Sequence, residues 1–382
     1  MRTDTHTLEF RSQSGPSTLE KQKRQATAVA VGIVGSGSSA SALAAHLSNL
    51  GHPVSMLTRD VENRPFLNEN RTITASGKLE GEFAINEFTT CVESFLEQSE
   101  YIFVATVATA YEEVCRRLAP HLKAYHKIIL FSSKLGGCLE VRAELRKLGR
   151  PEIPILETDA LFACRLQKDE SIWIKGIKRW TLYSSTSRSE TLKHGDVIKD
   201  LFPGLEPAAN VIQRGLTDFG ALAHAPIMLA NMNSVDKGNR FQFYRQGMTE
   251  RTVKIMEQLE SEFRELSQAF GADLIPMPEL LNRYYGCSTE SLLKAMCTVP
   301  NYEYSISPDE LDHRFLTEDV SCTLVPASEL AAKAGVDVPV MNSVITLASV
   351  LAGQDLKANG RNLKRLGIAQ LDADSIRAQL CS

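Results

Sequence analysis

The chain has 382 residues, a net charge of −4 and 43% hydrophobic content, enough for two packed domains. This charge balance, with no lysine- or arginine-rich run, excludes an extended phosphate-binding surface, so nucleic acid is not an expected partner. No apolar stretch approaches the roughly 20 residues of a membrane span and the first 26 residues lack the apolar core of a signal peptide, so a cytoplasmic protein with no membrane partner is expected.

Residues 1–26 mix Ser, Thr, Gln, Arg and Lys without periodicity and read as a mobile tail. Residues 27–34 have the length and β-branched content of a buried parallel strand, and Gly35, Ser36, Gly37, Ser38, Ser39 and Ala40 follow directly. Behind them Ala42, Leu43, Ala45, Leu47 and Leu50 recur at helical spacing up to Gly51, a residue type that ends helices in the left-handed conformation. Strand, glycine turn and helix in this order suit a dinucleotide. Gly35 would make the tight turn, Gly37 would let a pyrophosphate approach the backbone, and Ala40 would let helix and strand pack closely. The anion would rest on the first amides of the helix. A bare G-x-G-x-x-A also occurs in turns that bind nothing; its placement between strand and helix favours the cofactor.

A second strand at 53–58 leads into Arg59 and Asp60. At this point an arginine accommodates the 2′-phosphate of the adenosine ribose, whereas an acid prefers a free 2′-hydroxyl. Arg59 therefore points to NADP(H), and Asp60 as ribose ligand leaves NAD(H) as the alternative. Residues 70–88 contain two short strands around Gly77 and Gly81 that should decorate the sheet. Strands at 101–106, 127–132 and 153–158 continue it, with a helix bearing Tyr111, Val114, Cys115 and Leu118 and another at about 138–148 between them. Thr106, Ser132 and Thr158, at the ends of these strands, should lie along the carboxyl edge, where open α/β sheets bind ligands. Residues 170–184 are strand-like again. The reading is a doubly wound, mostly parallel Rossmann domain over 27–210.

From 211 to 382 the texture is helical. Residues 249–270 place Met256, Leu259, Phe263, Leu266 and Phe270 on one face, with Thr249 as cap and Gly271 as stop. A further helix is expected to start at Thr317, with Glu318 and Asp319 in its first turn, a bend at Pro326 and Gly335 beyond its end. Another spans 339–353. Eight cysteines are scattered without a C-x-x-C pair, so no metal site or disulfide framework is indicated, and they should be reduced and mostly buried.

His224 lies in an apolar setting near the start of the helical half, whereas His46, His52, His121, His126 and His194 have ordinary surface neighbours. On type and setting alone, a core imidazole with a backbone partner explains His224 better than catalysis does. In the segment His313-Arg-Phe-Leu-Thr-Glu-Asp-Val320, Arg314 has the planar fork that suits a carboxylate substrate. Glu318 and Asp319 are equally well explained as good helix-start residues.

Five segments in order resemble the octopine/nopaline (opine) dehydrogenase family: residues 35–40, 157–165, 224–226, 313–320 and 360–367. The resemblance spans nearly the whole chain after the tail. It implies a Rossmann domain followed by an all-α catalytic domain, and reductive condensation of an amino acid's amine with a 2-oxo acid by NADH or NADPH through an imine. His224 and Asp319 would then be the catalytic pair and Arg314 the receptor of the oxo acid carboxylate. Thr158 and Asn231 complete the expected substrate-binding set, and Gly35 to Ala40, Arg59 and Thr106 the cofactor-binding set. Two positions depart from the family pattern: Ala225 separates His224 from Pro226, and Leu161-Phe162 replaces a proline–tyrosine pair. The chemistry needs an acid–base group that titrates near neutrality, as imidazole does, to expel water from a carbinolamine. The competing readings are a 2-oxo acid or ketopantoate-type reductase, and an NADP-binding sensor without turnover. Oligomeric state, a homodimer among the options, is not legible.

Overall fold

The computed structural model describes residues 28–150 and 152–382; the tail expected over 1–26 lies outside them. Twelve strands are formed among the described residues: β1 (Val31–Val34), β2 (Val54–Leu57), β3 (Thr72–Gly77), β4 (Gly81–Ala84), β5 (Glu87–Thr89), β6 (Tyr101–Val104), β7 (Lys127–Phe131), β8 (Ile155–Thr158), β9 (Phe162–Leu166), β10 (Ile172–Ile177), β11 (Thr181–Ser184) and β12 (Leu205–Pro207). The main sheet runs β12-β11-β8-β7-β6-β1-β2-β5. Its centre is parallel, and the one antiparallel junction is β8 with β11. Strands β1, β2, β6 and β8 are buried at every position, because helices or the second sheet cover both faces, and this explains their continuous apolar character. Strand order reverses at β1, with β2 on one side and β6 on the other. A crevice opens beyond the carboxyl ends at such a switch point.

The strand expected at 27–34 is only four residues long, because pairing with both neighbours begins at Val31, opposite Val54 and Tyr101. A larger correction concerns residues 70–88. β3 and β4 do not decorate the main sheet; they join β10 and β9 in a separate sheet of order β4-β3-β10-β9, and β5 alone returns to pair with β2. The reason is helix Ser38–Asn49, which buries Ala40, Ala42, Leu43, Ala44, Ala45 and Leu47 and so has apolar surface on two sides. One side packs on the main sheet, and Ile73, Ala75, Phe83 and Ile85 of the second sheet belong to the same core.

After β12 the described chain is helical. Helix Glu250–Ala269 buries Val253, Met256, Leu259, Phe263 and Leu266, and Thr249 caps it by accepting from the Thr252 N–H at 3.3 Å. The helix expected from Thr317 starts earlier, at Arg314, because His313 Nδ1 accepts from the Phe315 N–H at 3.2 Å and serves as the cap. Asp319 is thus more than a turn inside and is not a helix-start acid. The helix passes through a π-turn at Val320–Leu324 before Val325–Ala334. Pro326 lacks the N–H that would bind the Cys322 carbonyl, and that oxygen instead accepts from Leu135 N–H at 3.1 Å, in the loop after β7. A single apolar core runs from Val104, Ile128 and Leu130 into Leu216, Phe219, Phe263 and Leu324, so the two halves share packing.

Two expectations about side chains are corrected as well. His126 is fully buried and bonded to the Leu96 carbonyl, His52 is buried, and His46 stacks on Phe202 at 5.1 Å, because loops and the second sheet cover what sequence alone suggests is surface. The eight cysteines are all free, but Cys91, Cys297 and Cys381 are exposed and only Cys115, Cys138 and Cys322 are buried.

Candidate active site

At the end of β1, Gly35 adopts φ +122°, and a Cβ there would stand 3.0 Å from the Ala105 carbonyl oxygen, so glycine is required. Gly37 caps helix Ser38–Asn49 without a side-chain acceptor, and a Cβ on it would meet nothing within 4 Å. The first amides of that helix therefore face open space, as an anion site requires. This space is the end of a cavity of about 1300 Å³ lined by Gly35 to Ser39, Arg59, Asp60, Thr106, Lys134, Lys175, His224, Tyr244 and Arg314, among others. Its size and donor set fit a dinucleotide together with a small substrate.

The turn is held by residues the sequence did not single out. Arg64 is buried, donates to the Ser36 carbonyl and, at 3.1 Å, to Ser41 Oγ, and pairs with Glu170 at 3.0 Å. Ser38 Oγ accepts from the Leu166 N–H at 3.0 Å, which ties the edge of the second sheet to the turn. Ala40 is fully buried and contributes packing. At the far end Asp60 is spent locally: its carboxylate accepts from Glu62 N–H at 2.9 Å and from Asn63 Nδ2 at 3.1 Å. Arg59 is exposed to the cavity and forms no ion pair among the described residues. Arg117, on the same wall, donates to the Thr58 carbonyl at 2.7 Å.

His224 stands on helix Phe219–Ala230, which Asp218 caps by accepting from the Gly220 N–H at 2.9 Å. Its Nδ1 lies 2.7 Å from Asp319 Oδ2, its Nε2 2.6 Å from Tyr244 Oη, and its ring stacks on Phe315 at 3.9 Å and 13°. The intervening Ala225 has not turned the imidazole away from Asp319. The second Asp319 oxygen meets Lys134 Nζ at 2.5 Å as an ion contact, and the same ammonium lies 2.9 Å from Asp218 Oδ2. Burial acts to raise the Asp319 pKa, but the Lys134 and His224 charges outweigh it and hold the carboxyl below its ordinary range. Lys134 answers in kind: burial would lower it, yet Asp218, Asp319 and Glu318 push it well above its ordinary value, so it remains an ammonium ion. Lys134 reaches this place from the loop after β7 with φ +63°, and Ser132 before it has φ +73°. Two non-glycine residues in the left-handed region are costly backbone, of the kind found where a side chain must be aimed.

Arg314 sits at the cavity rim, half exposed, with its guanidinium 3.7 Å from Glu318. Two expected substrate residues are not on the cavity. Thr158 is fully buried, donates to the Leu182 carbonyl at 3.2 Å, and is covered because β11 pairs beside it at Tyr183; the next residue, Asp159, reaches the cavity instead. Asn231 ends the His224 helix and donates to the carbonyls of Ile227 and Gly247 at 2.9 and 2.8 Å, about two helical turns from His224. Lys134 and Tyr244 went unnoticed in the sequence. A lysine just past the end of a central parallel strand is a signal that could have found Lys134; the loop holding Tyr244 carries none.

Residues 207–352 match the family model described as NAD/NADP octopine/nopaline dehydrogenase, alpha-helical domain, and residues 31–153 match that of ketopantoate reductase PanE/ApbA. The chain is 28% identical over 348 residues to an opine dehydrogenase of Arthrobacter sp. (strain 1C), covering 91% of this chain and 97% of that relative. Among solved structures it is similar to an octopine dehydrogenase with NADH and L-arginine, at a TM-score of 0.72 and 20% identity over 91% of this chain and 97% of the other. It is also similar to a yersinopine dehydrogenase with NADP+ bound, at a TM-score of 0.70 and 14% identity over 93% and 98%. With a Rossmann-type half and an all-helical half in the same order, and with relatives matched almost end to end, the chain carries the octopine/nopaline dehydrogenase alpha-helical domain and is an NAD(P)-dependent oxidoreductase acting on CH–NH bonds.

Proposed function

We propose that the protein condenses the amine of an amino acid with a 2-oxo acid and reduces the resulting imine, with His224 and Asp319 as its acid–base pair. The observation that carries this reading is the 2.7 Å contact between His224 Nδ1 and Asp319 Oδ2 in a cavity that begins at the glycine turn. A nicotinamide cofactor bound at residues 35–40, with Thr106 beside it, would supply the hydride. NADP(H) is preferred over NAD(H): Arg59 is free for a 2′-phosphate, while the Asp60 carboxylate is already spent on Glu62 and Asn63. The cofactor half is residues 27–210 and the catalytic half 211–382, with the division between β12 and helix Val211–Leu216.

The chain's own residues then have distinct tasks. Arg314 presents two parallel donors to the oxo acid carboxylate. Lys175, half-buried on β10 and without an ion pair among the described residues, offers a second cation to the carboxylate of the amino acid; its burial lowers its pKa, which an arriving anion would reverse. Asp319 holds the Nδ1–H tautomer of His224 and stabilises the imidazolium. Lys134 holds Asp319 ionised and does not itself exchange protons. The imidazole takes a proton as the amine becomes nucleophilic and returns it to the carbinolamine hydroxyl as water leaves. A ketopantoate-type reductase would need only one carboxylate receptor, and a sensor would need no acid–base pair.

NADPH oxidation with pooled amino acids and 2-oxo acids tests the reading. Consumption should require both pools, and a secondary amine dicarboxylate should appear by mass spectrometry. Consumption with the oxo acids alone would make the protein a simple reductase, and none at all would make it a sensor. Arg59→Ala should raise the KM for NADPH more than that for NADH; equal effects would remove the argument for NADP(H).

A further inference from the structure

Both ring nitrogens of His224 are engaged, and this bears on which atom meets the substrate. Asp319 is ionised and takes the Nδ1–H, so a neutral imidazole presents its lone pair at Nε2. That lone pair does not look into open cavity; Tyr244 Oη stands on it at 2.6 Å. Tyr244 is itself buried and on the cavity wall, stacked on Tyr302 at 4.1 Å and edge-on to Phe243 at 5.0 Å. Burial raises its pKa, so the phenol arrives as a proton donor. Once its proton lies toward Nε2, its oxygen lone pairs remain for a ligand, and His224 is its one hydrogen-bond partner among the described residues. Tyr244 is not needed to fix the imidazole, which the Asp319 contact and the stack on Phe315 already hold.

We propose that Tyr244 is the catalytic residue that touches the reacting amine and carbinolamine, with His224 behind it as the proton store. The inference rests on the reading of His224 and Asp319 as the acid–base pair. In the first half-step the substrate ammonium N–H gives its proton to Oη while the phenol proton moves to Nε2, leaving a neutral amine, a neutral phenol and an imidazolium. The amine lone pair then forms the C–N bond to the oxo carbon as the C=O π pair moves onto oxygen, and one N–H proton of the resulting zwitterion passes to that oxygen, giving the neutral carbinolamine. In the second half-step the imidazolium Nε2–H returns its proton to Oη while the phenol proton passes to the carbinolamine hydroxyl. The C–O bond breaks, its electron pair leaves with water, and the nitrogen lone pair forms the C=N bond of the iminium. Protons balance over the two half-steps, and no further oxidant or reductant is called on before hydride transfer.

The test is Tyr244→Phe beside His224→Ala, each with kcat, the KM for NADPH, the melting temperature and a proton inventory on kcat in mixed light and heavy water. The relay predicts that Tyr244→Phe lowers kcat by roughly 100-fold or more, as loss of general acid–base catalysis does, at near-normal melting temperature and KM for NADPH. It also predicts an inventory with two protons in flight for the wild type and one for Tyr244→Phe. If His224 acted directly on substrate, removing the phenol would free Nε2, and Tyr244→Phe would be as fast as the wild type or faster; that result overturns the relay. A slow Tyr244→Phe whose inventory matches the wild type would also overturn it, leaving Tyr244 a positioning residue. A one-proton inventory in the wild type does so even if the variant fails to fold. An active His224→Ala would instead sink the underlying acid–base pair.

Discussion

Asp319 owes its role to its neighbours. In the sequence it is one of two acids beside an arginine, well explained as helix design; in the fold it is a buried carboxylate between an ammonium and an imidazole. A first-turn acid is worth only about 0.3–1 kcal/mol, too little to account for a large kinetic loss. His224→Ala should lower kcat by roughly 100- to 10,000-fold with cofactor affinity near normal, because the nucleotide would rest on the glycine turn of the other half. Asp319→Asn should give a related loss, and the double variant should be little slower than His224→Ala alone, since residues that act as a unit are non-additive. Steady-state kinetics and fluorescence titration of NADPH check this; losses that multiply would separate the pair. The segments of Arg314 and His224 drew attention to both residues, and both line the cavity. Thr158 and Asn231 were misassigned because proximity to a strand end or to a catalytic helix does not say which way a side chain is spent.

The strand, glycine turn and helix at residues 31–49 show how two glycines of one motif serve different ends. Gly35 is needed by the chain itself, for its φ of +122° and for its closeness to the Ala105 carbonyl. Gly37 has an ordinary φ of −80° and no neighbour, so the chain itself does not require glycine there, and a requirement would come from a ligand. Gly35→Ala should therefore destabilise the fold by about 1–3 kcal/mol in urea denaturation, the usual cost of a strained backbone position. Gly37→Ala should change stability by under about 1 kcal/mol yet weaken NADPH binding at least tenfold, because its methyl would occupy the space a pyrophosphate needs. Equal effects of the two on stability would contradict this division. The composite helix from Arg314 to Ala334 was less legible: Pro326 signals an irregularity, but that the freed Cys322 carbonyl would bind Leu135 in the other half depends on what packs against it.

The two halves are bound by buried charge as well as by apolar packing. Arg361, in the last of the family-like segments, is buried, pairs with Glu140 at 2.6 Å, and donates to the carbonyls of Ser133, Leu135 and Ala108, so it locks the loops after β6 and β7 to the C-terminal region. Arg214 pairs with Glu157 at 2.8 Å and also holds the Lys134 carbonyl, which seats the lysine that supports Asp319. Acid should loosen this assembly through its buried histidines. Burial lowers the pKa values of His46, His52 and His126 below the 6.5 of an unperturbed chain, so the unfolded form takes up protons that the folded form refuses. The stability they permit is full above pH 6.5 and is lost as the pH falls from there through their lowered values. Urea midpoints should accordingly drop between pH 7.5 and 5.5, with an unchanged slope; equal midpoints would show that these rings are accessible in the folded state.

The sequence by itself determined the strand–turn–helix that begins the cofactor site, the succession of parallel strands, the long helix capped by Thr249, and the membership of His224 and Asp319 in family-like segments. These are readings of period, capping and short motifs, each written within a few residues. Only the tertiary structure decided that His224 and Asp319, 95 residues apart, touch at 2.7 Å, that Lys134 crosses from the other half to hold the aspartate, and that Tyr244 covers His224 Nε2. It also decided that β3 and β4 belong to a second sheet and that Thr158 is spent on the Leu182 carbonyl, off the cavity. The physical reason is that contacts between distant residues, and the direction in which a side chain is spent, are set by which elements pack together, and local periodicity carries no record of the partner.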